Sequence, residues 1–99
     1  MSKITIVPVH PGEILREEYL VPLKMSAGGL AKQLGVPRTR IERIVGEQTS
    51  ISPDTAVRLA RFFTTTPAFW MNLQTSYDLS MVKNRIDVSK IDPLRAVTV

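Results

Sequence analysis

Two short apolar stripes in close succession constrain this chain more than anything else in it. Ala27, Leu30, Ala31 and Leu34 fall at i, i+3, i+4 and i+7, and after Gly35 and Pro37 the helical spacing resumes with Ile41, Ile44 and Val45. Each stripe predicts an amphipathic helix. Very few residues around Gly35 join them, so the two helices must turn steeply and pack on each other, the shape of a helix-turn-helix. The physical demands of that unit are met at the right offsets. Ala31 is small where the helices cross, and Gly35 lets the turn reach a positive φ. Leu30, Leu34, Val36, Ile41 and Ile44 lock the pair to the rest of the domain.

The flanks extend the pattern into consecutive short helices punctuated by proline and glycine. A first helix is predicted from Pro11 to Leu20, with Pro22 ending it because proline lacks an N–H and clashes with the preceding turn. Ser26 is the expected N-cap of the second helix and Gly35 its left-handed stop. The third is predicted to begin at Pro37 as a first-turn residue and to close at Gly46. "SPD" announces the fourth, with Ser52 as N-cap, Pro53 in the first turn and Asp54 at the positive end of the dipole. Thr66 and Pro67 repeat that arrangement for the fifth, which carries Phe69, Trp70, Leu73, Tyr77 and Met81. Only Ile4 to Val7 has the composition of a strand. The class is therefore all-α: a short N-terminal extended segment (1–10), a helical domain (11–81) and a C-terminal tail (82–99) that is loose or orders late.

A chain of 99 residues makes one domain at most and buries a core without disulfide or metal staples. There are no cysteines, which excludes thiolate metal sites and cysteine nucleophiles and fits a reducing compartment. No apolar run approaches the roughly 18 residues that span a bilayer, and the N-terminus lacks a signal-peptide pattern. A cytoplasmic, nucleoid-associated protein is expected. There is no P-loop, dinucleotide fingerprint or HExxH, and no carboxylate spacing suggests an acid/base pair. The expectation is no enzyme, no catalytic residue, no metal, no cofactor and no small-molecule substrate. His10, the single histidine, reads as part of the lead-in to the first helix.

The net charge of +4 is localised. Between Lys24 and Arg43 stand five basic residues and one acid, and outside that window eight bases balance eight acids. A localised basic patch concentrates a polyanion, so double-stranded DNA is the natural partner. With Ile41 and Ile44 facing the core, Arg38, Thr39, Arg40 and Arg43 project outward or toward the helix N-terminus. In a helix-turn-helix that is where the second helix meets base edges in the major groove. The planar fork of arginine suits guanine O6 and N7, and Thr39 has a hydroxyl and a methyl to offer a base. The bland alternative is a solvated helix face.

"LAKQLGVPRTRIERIVGE" resembles the helix-turn-helix of the Cro/phage-repressor (XRE) class. "HPGEILREEYLVPL" before it and "ISPDTAVRLARFFTTTPAFWMNLQTSYDL" after it resemble the HigA antitoxins, over about Val9 to Leu79. The resemblance implies a five-helix lambda-repressor-like domain that forms a homodimer and binds a pseudo-palindromic operator at its own promoter as an autorepressor. It also implies neutralisation of a HigB-type, RelE-like ribonuclease toxin by direct binding. By position, the base readers of such repressors fall on Arg38, Thr39 and Arg43. Phosphate contacts fall on Ser26, Ala27, Arg40, Gln48 and Thr49, and the helix N-terminus at Ser26 and Ala27 attracts phosphate on physical grounds as well. Where the family usually shows Asn-Gly after the recognition helix, this chain has Gly46-Glu47. The expectations there are a helix exit shifted by one residue and a carboxylate that repels nearby phosphate.

Two groups keep two readings each. Trp70, Leu73, Tyr77 and Met81 are either intramolecular core or a dimer interface, where aromatic anchors concentrate. Glu13, Glu17 and Glu18 are either the acid enrichment that a helix dipole favours or an acidic patch facing a basic toxin. Two further functions share the same fold: a stand-alone repressor without a toxin partner, and a protein-interaction module that does not bind DNA.

Overall fold

The computed structural model describes residues 8–83 and 85–95. The candidate strand at Ile4 to Val7 lies outside the described residues. Five helices follow in order: α1 (11–23), α2 (Ala27–Leu34), α3 (Arg38–Val45), α4 (Pro53–Phe63) and α5 (Pro67–Lys83). No strand occurs among the described residues.

α1 runs past the predicted stop. It is an α-turn at Pro11–Ile14, a π-helical stretch at Leu15–Leu20 and a last turn at Val21–Leu23. The Val21 N–H donates to the Arg16 carbonyl, five residues back. This wider turn ahead of Pro22 relieves the clash between the pyrrolidine ring and the preceding turn, so the proline is accommodated and not terminating. The stop comes at Lys24, which takes the left-handed conformation (φ 53°), while Met25 N–H donates to Leu20 O at 3.0 Å. At the other end, the Nδ1 of His10 accepts the Gly12 N–H at 2.8 Å and caps the helix.

The N-caps of α2, α4 and α5 are the residues the sequence predicts. Ser26 Oγ accepts Gly29 N–H at 2.9 Å, Ser52 Oγ accepts Thr55 N–H at 3.2 Å and Thr66 Oγ1 accepts Phe69 N–H at 3.1 Å. Gly35 closes α2 at φ 70°. Pro37 stands one position outside α3, in an extended conformation (ψ 142°), with Arg38 as the first helical residue. Its carbonyl accepts Arg40 N–H at 3.0 Å, so it serves as the N-cap position and not as a first-turn residue. α5 continues two residues beyond the predicted boundary at 81, to Lys83.

Leu15, Leu30, Ala31, Ile41, Ile44, Ile51, Ala56 and Leu59 form the centre of the core. Trp70 is fully buried (0% exposed) and packs against Tyr19 and Phe63 with ring centroids 5.2 and 6.3 Å away. Its Nε1–H is satisfied by Thr65 Oγ1 at 2.8 Å. Trp70 therefore belongs to the core of its own chain and has no surface to give a second copy. Gln74, also buried, accepts Ile51 N–H at 2.7 Å and donates to Asp78 at 2.9 Å, tying the α3–α4 loop to α5. Residues 85–95 form turns and irregular chain, with Ile86, Val88, Ile91 and Leu94 exposed.

Candidate nucleic-acid interface

The site is built on α3 and the turns at either end of it. α1 abuts the C-terminal end of α3 so closely that a Cβ on Gly12 would stand 1.7 Å from the Ile44 carbonyl oxygen. Arg16 completes this joint. Its Nη1 donates to the Val45 carbonyl at 2.5 Å, and its guanidinium pairs with Glu47 at 3.3 Å and Glu17 at 2.8 Å. A cation on the last carbonyls of a helix satisfies acceptors that have no helical donor and complements the dipole. α3 is thus held by buried Ile41 and Ile44 below and by α1 at its end.

The opposite face carries the charge. Arg38, Thr39 and Arg43 are all exposed. Arg38 donates through Nε to Glu42 at 3.1 Å. Arg43 makes no ion pair among the described residues. The structure separates Arg40 from this group. Half-buried at the side of the helix, it donates to Asp54 Oδ2 at 2.6 Å, and the same oxygen accepts Arg58 Nε at 3.0 Å. These two guanidinium groups, Arg40 before Arg58, hold the Asp54 carboxyl below the usual carboxylate range. Sequence spacing put Arg40 and Asp54 fourteen residues apart in different helices, so no helical periodicity signals the pair.

At the start of α2, the Ser26 hydroxyl is already engaged by Gly29. The N–H groups of Ala27 and Gly28 precede the first helical acceptors and point out of the helix end. After α3, the backbone N–H groups of Gln48 and Thr49 are taken by the Arg43 carbonyl at 2.8 and 3.3 Å. Only their side chains are available to a phosphate. The one-residue shift expected of the helix exit at Gly46-Glu47 does not occur. Gly46 ends the helix at φ −82°, and the left-handed residue is Glu47 (φ 61°), the place where the family pattern has glycine. Its carboxylate is drawn to Arg16.

Glu13, Glu17 and Glu18 are exposed on α1, with Glu17 paired to Arg16. Leu73, Tyr77 and Met81 are each half-buried along α5, where Tyr77 meets the ring of His10 edge-on at 4.8 Å. Among the described residues no group of histidine, aspartate and glutamate is arranged to hold a metal ion. No helix there is long and apolar enough to cross a membrane.

The helix-turn-helix family profile matches residues 15–70. Antitoxin HigA-1 of Vibrio cholerae is 34% identical over 86% of this chain and 80% of its own length. The solved structure of Pseudomonas aeruginosa antitoxin HigA with the higBA promoter superposes with a TM-score of 0.83 at 43% identity, covering 89% of this chain and 99% of that one. The chain belongs to the HigA family of helix-turn-helix proteins. Virulence-associated protein I of Dichelobacter nodosus, 51% identical over 87% of this chain and 81% of its own length, is a further relative. Antitoxin GraA in complex with its operator has the same fold, with a TM-score of 0.86 at 38% identity over 97% of this chain and all of that one.

A glutamate occupies the left-handed exit position, and Arg16 supplies its partner from another helix. Sequence reasoning missed Gly12, Gly28, Arg16, Glu42 and Asp54 as members of the site. For Glu42 a signal existed, since it stands four residues after Arg38, the spacing of a helical ion pair. Arg16 and Asp54 act across helices and leave no such trace.

Proposed function

We propose that this protein is the antitoxin of a type II toxin–antitoxin pair and represses its own operator by binding, without enzymatic chemistry. The observation that carries this reading is the exposed Arg38, Thr39 and Arg43 face of α3 in a chain 43% identical to an antitoxin whose structure includes its promoter. Two copies of α3 enter successive major grooves about 34–36 Å apart. Arg38, Thr39 and Arg43 meet base edges. Ser26 and Ala27 at the N-terminus of α2 and the side chains of Gln48 and Thr49 meet phosphates, joined by Arg40 when it turns from Asp54. Leu73, Tyr77 and Met81 on α5 supply the homodimer face. The acidic residues Glu13, Glu17 and Glu18 on α1 face a basic HigB-type ribonuclease toxin, on a surface separate from the DNA side. The working location is the bacterial cytoplasm, at the nucleoid.

Fluorescence-anisotropy titration of the full chain against duplex DNA from its own promoter tests the DNA half. Nanomolar binding that falls steeply with salt and weakens for Arg38→Ala and Arg43→Ala is the expected result. Unchanged sequence-specific affinity in both variants overturns the site assignment. Co-expression with whatever small basic protein is encoded next to it tests the toxin half. A stand-alone repressor is the alternative, favoured by a relative from Haemophilus influenzae, 46% identical, that is named only as an HTH-type transcriptional regulator. Failure to co-purify any complex decides for it.

A further inference from the structure

Arg38 is the most exposed of the paired arginines, with 71% of its side chain open to solvent, yet it is not free to rotate at will. On one side its Nε donates to Glu42 Oε2 at 3.1 Å. On the other its stem crosses Gly28 of α2, where a Cβ would stand 3.3 Å from Nε and 3.5 Å from Cδ. A guanidinium has two edges that form paired hydrogen bonds: a side-on edge using Nε with one Nη, and an end-on edge using Nη1 with Nη2. Glu42 occupies Nε and so closes the side-on edge. What is left pointing outward is the end-on fork, whose spacing matches the O6 and N7 acceptors of guanine.

We infer that Glu42 is a specificity-determining positioning residue, holding Arg38 so that its end-on fork reads one guanine of the operator, with Gly28 keeping the space that this pose needs. The inference rests on the reading that α3 enters the major groove. Its chemistry differs from simple charge. A carboxylate this close to a phosphate-lined groove weakens attraction to DNA of any sequence, so it lowers general affinity while raising discrimination. Glu42 does not itself touch the base in this scheme. It removes the alternative poses of Arg38 before binding, and with them the entropy lost on docking.

The test uses the full chain and a set of operator duplexes in which each guanine in turn is replaced by 7-deazaguanine, which lacks the N7 acceptor. Arg38→Ala first identifies the guanine it reads, as the position where that replacement no longer matters. At that position alone, Glu42→Gln and Glu42→Ala are expected to reduce the discrimination ratio about tenfold, with the salt slope of binding unchanged or steeper. Gly28→Ala, whose Cβ would press on Arg38 Nε at 3.3 Å and shift it by a few tenths of an ångström while favouring the helix, is expected to reduce the ratio at the same guanine without lowering Tm. Equal changes in affinity for intact and replaced duplexes in the Glu42 variants overturn the inference by itself. If Arg38→Ala keeps discrimination at every guanine, the inference falls together with the assignment of Arg38 as a base reader.

Discussion

The Nη1 of Arg16 donates to the carbonyl of Val45 at 2.5 Å, joining the first helix to the last turn of the recognition helix. The same guanidinium neutralises Glu47 just beyond that turn. Truncation at Arg16 leaves a helix-end carbonyl and a carboxylate without their cation. Arg16→Ala is expected to lower Tm by about 4–8 °C, the shift that ~1 kcal/mol produces in a domain of this size. Operator affinity should fall severalfold with the salt slope intact, because a group engaged inside the protein is not a phosphate contact. A thermal melt and a salt titration of binding check the two halves. A slope reduced by about one identifies Arg16 as a phosphate contact instead.

Glu47 is held in left-handed backbone, which costs a residue with a Cβ about 1 kcal/mol and glycine almost nothing. Glu47→Ala keeps that strain and loses the pair with Arg16. Glu47→Gly loses the pair and the strain together. The glycine variant is therefore expected to be the more stable of the two by about 1 kcal/mol, and at least as stable as the parent protein, since the exposed ion pair it loses contributes no more than the strain it relieves. Urea denaturation of the three proteins orders them. An alanine variant as stable as the glycine variant removes backbone strain as the explanation of this exit.

The capped, striped segments were legible because the cause of each is local. Ser26, Gly35, Ser52 and Thr66 act on backbone groups within a few residues, and the apolar stripes of α2 and α4 report a single buried face. Pro22 misled because a π-helical turn, set by packing of α1, absorbs a residue that local rules treat as a stop. Trp70 was ambiguous because an apolar aromatic reads alike in a core and in an interface, and only the rings of Tyr19 and Phe63 around it decide. Arg40 read as a phosphate cation because Asp54 comes close only once α4 folds back beside α3. The exposed cation face of α3 was legible, whereas the carboxylates and glycines that orient it were not.

Gly12 gives the sharpest steric prediction. Glycine to alanine inside an ordinary helix is stabilising by up to about 1 kcal/mol. Here the added Cβ would lie 1.7 Å from the Ile44 carbonyl oxygen, a backbone atom that cannot swing aside. α1 must lift off α3, taking the Arg16 bonds with it. Gly12→Ala is expected to cost about 3 kcal/mol or more and to abolish operator binding at 37 °C, as read by circular dichroism melting and anisotropy. Gly29→Ala is the matched control. Its Cβ would meet only the Ser26 hydroxyl at 3.2 Å and a flexible Met25 methylene at 3.7 Å, so a folded, DNA-binding protein is expected.

Asp54 gives the acid-side prediction. Arg40 first and Arg58 second hold its carboxyl below the ordinary carboxylate range in the folded chain. A group whose folded value is depressed binds fewer protons in the native state than in the unfolded one across that interval. Its contribution to stability is therefore fully present above the unfolded value near 4 and is lost as pH falls through the folded value. Asp54→Asn removes the charge at every pH. The denaturation midpoint of the variant should lie below that of the parent at pH 7, and the gap should narrow as the pH drops below about 4. The same variant releases Arg40 from its 2.6 Å pair, so its binding to non-operator DNA should tighten with a steeper salt slope. A gap that stays constant between pH 7 and pH 2 shows that Asp54 acts through its place in the first turn of α4 and not through its charge.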